Sequence, residues 1–107
     1  MLNDDTIVKQ SYQLIHKDLG LEEEWECEDS ENTFSRLEDF LTYQIKNLLD
    51  HDFNRLLNAF YRIDIPEKKV KEILTSSEPE LVARDLAVLI IEREKQKVLT
   101  RLKYRTS

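Results

Sequence analysis

The sequence predicts an all-α fold: a compact, single-domain bundle of about five helices that ends in a long C-terminal helix. The 107 residues include only one glycine and two prolines, too few for the frequent turns of a β-sandwich or barrel. Apolar residues recur at spacings of three and four in five segments, which is typical of helices with one buried face. A chain of this length can bury one modest core without a metal or disulfide. We therefore expect residues 1–107 to form one domain.

The first helix is predicted from about Asp5 to Asp18, and Gly20, two residues later, can end it. The second is predicted from the capping box Ser35-Arg36-Leu37-Glu38 to about Leu49, because the hydroxyl and the glutamate can each satisfy a free N–H of the first turn. The apolar stripes of the two helices are Val8, Tyr12, Ile15 and Leu19, and Phe34, Leu37, Leu41, Ile45 and Leu48.

The acidic segment 22–31 separates these two helices. It holds seven acids and no base, so the remaining residues sum to a charge of +1 although the whole chain carries −6. Its charges repel one another and it has no helical stripe. We expect a mobile acidic linker of about ten residues.

The third and fourth helices follow a polar break, Asp50-His51-Asp52. Asp52 is the expected N-cap of the third helix, and Pro66 suits the first turn of a short fourth helix that ends near Leu74. The apolar residues of the third helix are Phe53, Leu56, Leu57 and Phe60.

The last helix is predicted to begin at Glu78, within the sequence Ser77-Glu78-Pro79-Glu80, and to run for about 36 Å to about Arg101. Its apolar residues lie on two faces. We assign the first face to the core of the domain. That face comprises Val82, Ala83, Leu86, Leu89 and Ile90.

The second face has heptad-like spacing and is predicted to be a homodimer interface. It comprises Val88, Ile91, Lys95, Val98 and Leu102. A helix with two apolar faces must bury both of them. The alternative is that this helix is the centre of the bundle, with Leu99 and Leu102 covered by the first helix.

Few residues suggest catalysis. Cys27 lies between two glutamates, which disfavour a reactive thiolate, and the chain has no Cys-x-x-Cys zinc motif. His51 lies between two aspartates, but His16 is the only other histidine, which is too few for a histidine-rich metal site. We expect His51 on a solvated corner. A small metal- or ligand-dependent enzyme around His51, Asp52 and Asp64 is the second alternative.

Two pairs of acids on helices, Glu38 with Asp39 and Glu92 with Glu94, are expected to be surface charges. A carboxylate metal site in a bundle uses Glu-x-x-His repeats, which are absent from this sequence. The sequence therefore predicts no catalytic residue, no cofactor and no metal ion.

The basic C-terminal end, residues 93–107, holds six cations and one acid. Nucleic-acid phosphates could contact Arg101, Lys103 and Arg105, with Tyr104 stacking on a base. Cations are also favoured at a helix C-terminus by its dipole, so nucleic-acid binding ranks as the first alternative. The basic end could instead attract the acidic linker and orient two chains.

The stretch from His51 to Tyr104 contains the segments HDF, YRID and IIERE. With these segments it resembles a family of short, uncharacterised bacterial all-helical proteins. The resemblance covers about half of the chain. It implies a shared helical fold and no activity.

The N-terminus lacks the basic start and apolar stretch of a signal peptide, and the longest apolar run, Leu86 to Ile91, is too short to span a membrane. We therefore expect a soluble, cytoplasmic protein without a membrane partner. The predicted function is a non-enzymatic protein-interaction or regulatory module, a homodimer through its last helix, with an unidentified protein partner.

Overall fold

The computed structural model describes residues 4–21 and 34–105 and confirms the all-α bundle. This part of the chain forms five helices and no strand: α1 (Asp4–Leu19), α2 (Phe34–His51), α3 (Phe53–Ile63), α4 (Glu67–Ser76) and α5 (Val82–Arg105). The predicted acidic linker lies outside the described residues. None of the five helices is long and apolar enough to cross a membrane.

Helix α5 is the centre of the bundle. It contacts each of the other four helices, and α2 and α1 pack against it most extensively. Its 24 residues extend for about 36 Å, close to the 41 Å length of the molecule. Because the other helices are shorter, different helices cover the two ends of α5.

The main core surrounds the N-terminal half of α5. Leu86 and Ile90 are fully buried there. Their cluster also contains residues from the other four helices, among them Ile15, Leu41, Leu56 and Val70. A smaller cluster joins Val98 and Leu102 of α5 to Ile7 of α1, flanked by Leu14 and Phe34.

The predicted dimer interface on α5 needs correction, because most of it is buried within the chain. Ile91 belongs to the main core, and Val98 and Leu102 pack against Ile7. Lys95 lies over the ring of Phe34, with its Nζ atom 4.7 Å from the ring centroid. Val88 alone among the five is exposed. Helix α1 thus covers Leu102, as the alternative expected, but leaves Leu99 exposed.

The ends of α3 are fixed by two aspartates. The Asp52 carboxylate accepts a hydrogen bond from the Arg55 backbone N–H at 3.2 Å, which confirms the predicted N-cap. Helix α2 extends through His51, so the break between the helices is Asp52 alone. At the other end, Asp64 adopts a left-handed conformation with φ of 67°, and its N–H donates to the carbonyls of Phe60 and Tyr61.

Helix α5 begins at Val82, four residues after the predicted start at Glu78. The predicted capping box does not form, because the Ser77 hydroxyl donates to the Asp85 carboxylate at 2.6 Å. The intervening residues form a turn in which the Leu81 N–H donates to the Glu78 carbonyl at 2.8 Å. Helix α4 also differs slightly and ends at Ser76.

Candidate functional site

The most unusual side chain on α5 is Glu94, a fully buried acid. It is 0% exposed and lies between Ile90, one turn before it, and Val98, one turn after it. The expectation that Glu94 is a surface charge is therefore wrong. A residue four positions from each of two core residues shares their helix face, whatever its polarity.

The surroundings of Glu94 disfavour its charge. Lys97 Nζ lies 3.2 Å from Glu94 Oε1 as an ion pair, but neither carboxylate oxygen receives a hydrogen bond from the described residues. Burial, followed by the neighbouring Asp18 of α1, raises the pKa of Glu94 to about 7, and Lys97 opposes that shift. A proton on Glu94 can be shared with the Asp18 carboxylate.

Further polar contacts join the C-terminal end of α3 to α1 and α5. Arg62 Nη1 donates to the Asp18 carbonyl at 3.4 Å, and Arg93 Nη2 to Asp64 Oδ2 at 3.3 Å. Three buried atoms have no hydrogen-bond partner among the residues that the structure describes: Ser11 Oγ, His16 Nε2 and Arg93 Nε. This end of the bundle therefore contains buried polar groups with unused hydrogen-bonding capacity.

A basic recess of about 580 Å³ lies on the side of α5 next to Glu94. It is open and shallow, and its lining combines three cations with two polar residues and one leucine. The residues are Arg93, Gln96, Lys97, Leu99, Thr100 and Arg101. Lys97 thus belongs both to the recess and to the ion pair with the buried acid.

The three predicted phosphate contacts do not form one site. Arg101 lies in the basic recess, together with Arg93 and Lys97, which the prediction did not include. Lys103 is two residues further along the helix, about 200° around its axis. Arg105 is the last residue of α5, and its side chain lies outside the described part.

Of the residues of the predicted enzyme alternative, His51 and Asp52 line one open recess of about 290 Å³, but Asp64 lies elsewhere. His51 is exposed at the end of α2, where its Nδ1 lies 3.0 Å from the Asn47 carbonyl oxygen. Asp52 caps the start of α3, whereas Asp64 lies beyond its other end. In residues 4–21 and 34–105, no three metal-binding side chains of the His, Cys, Asp or Glu type come together. His51 therefore has no assembled partner set in this part of the chain.

The acids Glu38 and Asp39 lie on the surface, as expected, and both pair with Arg84. Arg84 donates to Glu38 at 2.7 Å and to Asp39 at 3.2 Å. These hydrogen bonds raise the pKa of Arg84 above its usual value. The pairing joins α2 to α5. Because Glu38 pairs with Arg84, it does not act in the predicted capping box. Ser35, the predicted cap, is instead the second residue of α2.

Comparisons with known proteins found no match: no family model, no curated protein and no solved structure is similar to this chain. The resemblance of His51 to Tyr104 to bacterial helical proteins thus stays a prediction.

Proposed function

We propose that the chain is a non-enzymatic protein-interaction module that self-associates through the outer face of α5. The observation that carries this proposal is a row of three exposed apolar residues on that face. Leu81, just before the helix, is 47% exposed, and Val88 and Leu99 are 39% and 38% exposed. A stripe of apolar side chains in water favours burial against another protein surface.

The three residues lie on one side of the helix axis. They are separated by seven and eleven positions, which correspond to two and three helical turns. This stripe replaces most of the predicted interface: Val88 is retained, whereas the buried Ile91, Val98 and Leu102 are not used.

The face is also complementary to itself. If two copies of α5 pair in antiparallel orientation with Leu81 opposite Leu99 of the second copy, then Asp85 lies opposite Lys95 of the second copy. The same contacts recur by two-fold symmetry, so this register forms two Leu81–Leu99 pairs and two Asp85–Lys95 pairs, and it places Val88 opposite Glu92 of the second copy. This complementarity favours a second copy as the partner and sets the orientation of the pair.

The test compares two leucine-to-lysine substitutions at exposed positions. Leu81→Lys lies on the stripe and would oppose Leu99 of the second copy, whereas Leu74→Lys lies on α4 and replaces a side chain that is 37% exposed. Light scattering after size exclusion, at tens of micromolar protein, should give a dimer for the wild type and Leu74→Lys and a monomer for Leu81→Lys. Circular dichroism checks that both variants are folded.

Charge reversal tests the proposed register. Asp85→Lys and Lys95→Asp should each weaken the dimer, and the double variant should restore part of the affinity. A monomeric wild type at these concentrations would overturn self-association. A dimer that Leu81→Lys leaves intact would move the interface away from this face.

A further inference from the structure

We propose that the basic recess binds the phosphates of single-stranded nucleic acid, and that Glu94 controls this binding by holding or releasing Lys97. The recess shares Leu99 with the stripe proposed for self-association, but its three cations do not belong to that stripe, so the proposal does not depend on self-association. It rests on three cations in a row and on the position of one of them between an open surface and a buried acid.

The row of cations suits an extended phosphate chain. Arg93, Lys97 and Arg101 are each separated by four residues, so they follow one side of α5 over about 12 Å. The Gln96 side chain adds hydrogen-bonding groups along the same side. Tyr104 is exposed three residues after Arg101, where its ring can stack on a base. An open recess with these features fits an extended nucleic-acid strand better than a small ligand, which binds in an enclosed pocket.

The three cations differ in how they are paired. Arg93 interacts with Asp64, which is itself well exposed, and Arg101 forms no ion pair with the described residues. Lys97 is paired with Glu94, whose carboxylate is completely buried. If Lys97 turned toward a phosphate, an ionised Glu94 would be left buried and unpaired, which is strongly unfavourable.

Protonation of Glu94 removes this restraint. The neutral carboxyl can donate its hydrogen to Asp18, and Lys97 is then free to contact a phosphate. The proton comes from solvent and returns to it, so no other reactant is needed. Binding of the anion and binding of the proton therefore favour each other, and the coupling is reciprocal.

The charged groups around Glu94 set the pH range. Asp18 of α1 and Lys97 of α5 are the two groups in the described chain that act on its carboxyl besides burial. At the end of α3, Arg62 contacts the Asp18 carbonyl and Asp64 contacts Arg93. Because the pKa of Glu94 is about 7, affinity for nucleic acid should fall as the pH rises through neutrality.

The experiment is fluorescence polarisation with a labelled oligothymidylate at constant low ionic strength, at about pH 6 and about pH 8. The wild type should bind about tenfold more tightly at the lower pH, since one additional lysine becomes free to contact phosphate. Glu94→Gln should bind tightly at both pH values. Lys97→Gln should bind weakly at both.

Two further variants separate gating, the control of Lys97 by Glu94, from the general electrostatic attraction between the recess and phosphates. Arg101→Gln should weaken binding at both pH values but keep the ratio between them, because Lys97 and Glu94 remain. Lys68→Gln removes an exposed cation on α4 and should change neither affinity. Leu81→Lys should still bind, so failure of self-association and failure of this proposal are distinguishable.

Absence of oligothymidylate binding by the wild type at both pH values would overturn the site. If Glu94→Gln retained the wild-type pH dependence, the gating by Glu94 would be overturned, and another group such as a histidine would be responsible. Circular dichroism at both pH values confirms that each variant is folded. Calorimetry in two buffers of different ionisation enthalpy should show proton uptake on binding by the wild type and none by Glu94→Gln.

Discussion

The two halves of α5 form the same regular helix but bury different chemistry. From Val82 to Ile91, every buried side chain is apolar, and the surrounding core includes residues of all four other helices. From Glu92 to Tyr104, the buried side chains are Glu94, Val98 and Leu102, and α1 supplies much of their cover. The N-terminal half stabilises the fold through apolar burial, whereas the C-terminal half buries the Glu94 carboxyl, whose surroundings disfavour its charged form.

This difference has an energetic consequence. Complete burial of a leucine or isoleucine contributes about 1.5–3 kcal/mol, so the N-terminal half of α5 contributes more to stability than the C-terminal half. Burial of Glu94 reduces stability whenever the group is ionised. The C-terminal half is therefore the region in which a change of pH or a bound anion can alter the charge of Glu94 and the pairing of Lys97 with little loss of stability.

The largest effect is expected in the N-terminal half. Ile90→Ala should lower the free energy of unfolding by about 2–5 kcal/mol, because it leaves a cavity in the main core. Denaturant unfolding followed by circular dichroism measures the change. Leu74→Ala, at an exposed apolar position of α4 outside the proposed interface, is the control and should stay within about 0.5 kcal/mol of the wild type. A similar loss for both variants would contradict the burial pattern of this half.

The second effect concerns the buried acid. The pKa of Glu94 is about 7 in the folded chain, against 4.5 for an ordinary glutamate. A raised folded-state pKa means that the folded chain holds the proton more tightly, so the contribution of Glu94 to stability is greatest below about pH 4.5, falls as the pH rises to about 7 and is constant above it. The loss should reach about 3 kcal/mol above that range.

Glu94→Gln isolates this contribution, because the amide does not ionise. Near pH 8 the variant should be more stable than the wild type by up to about 3 kcal/mol, and near pH 4.5 the difference should largely disappear. Denaturant unfolding of both proteins across this range measures the difference. A constant gap between the two curves would show that Glu94 does not titrate between these pH values.

The sequence predicted the number and order of the helices because each has a repeating apolar stripe and a local boundary signal. Asp52 is an example: its capping role depends only on residues three positions away. The start of α5 could not be predicted in the same way. The Ser77 hydroxyl can either cap the helix or donate to the Asp85 carboxylate, and the packing of the turn decides which hydrogen bond forms.

The candidate site was harder to predict because it depends on contacts between distant segments. The apolar spacing of Val98 and Leu102 is equally suited to a second copy and to α1, and only packing against Ile7 decides between them. Glu94 did carry a signal, since it lies four residues from both Ile90 and Val98. Its charge led to an assignment to the surface, although its position in the stripe indicated burial.

The smallest effect concerns the aspartate that joins the end of α3 to the C-terminal half of α5. Asp64 has φ of 67° and pairs with Arg93 at 3.3 Å, but its side chain is largely exposed. Asp64→Asn removes the charge and keeps a residue that tolerates the left-handed conformation, so it should cost at most about 1 kcal/mol. Asp64→Ala loses both and should cost about 1 kcal/mol more. Equal stabilities of these two variants would show that the left-handed backbone conformation at Asp64 carries no penalty for alanine. If Asp64→Ala is the less stable of the two, as expected, Asp64 stabilises the chain mainly by ending α3 and only slightly by pairing with Arg93.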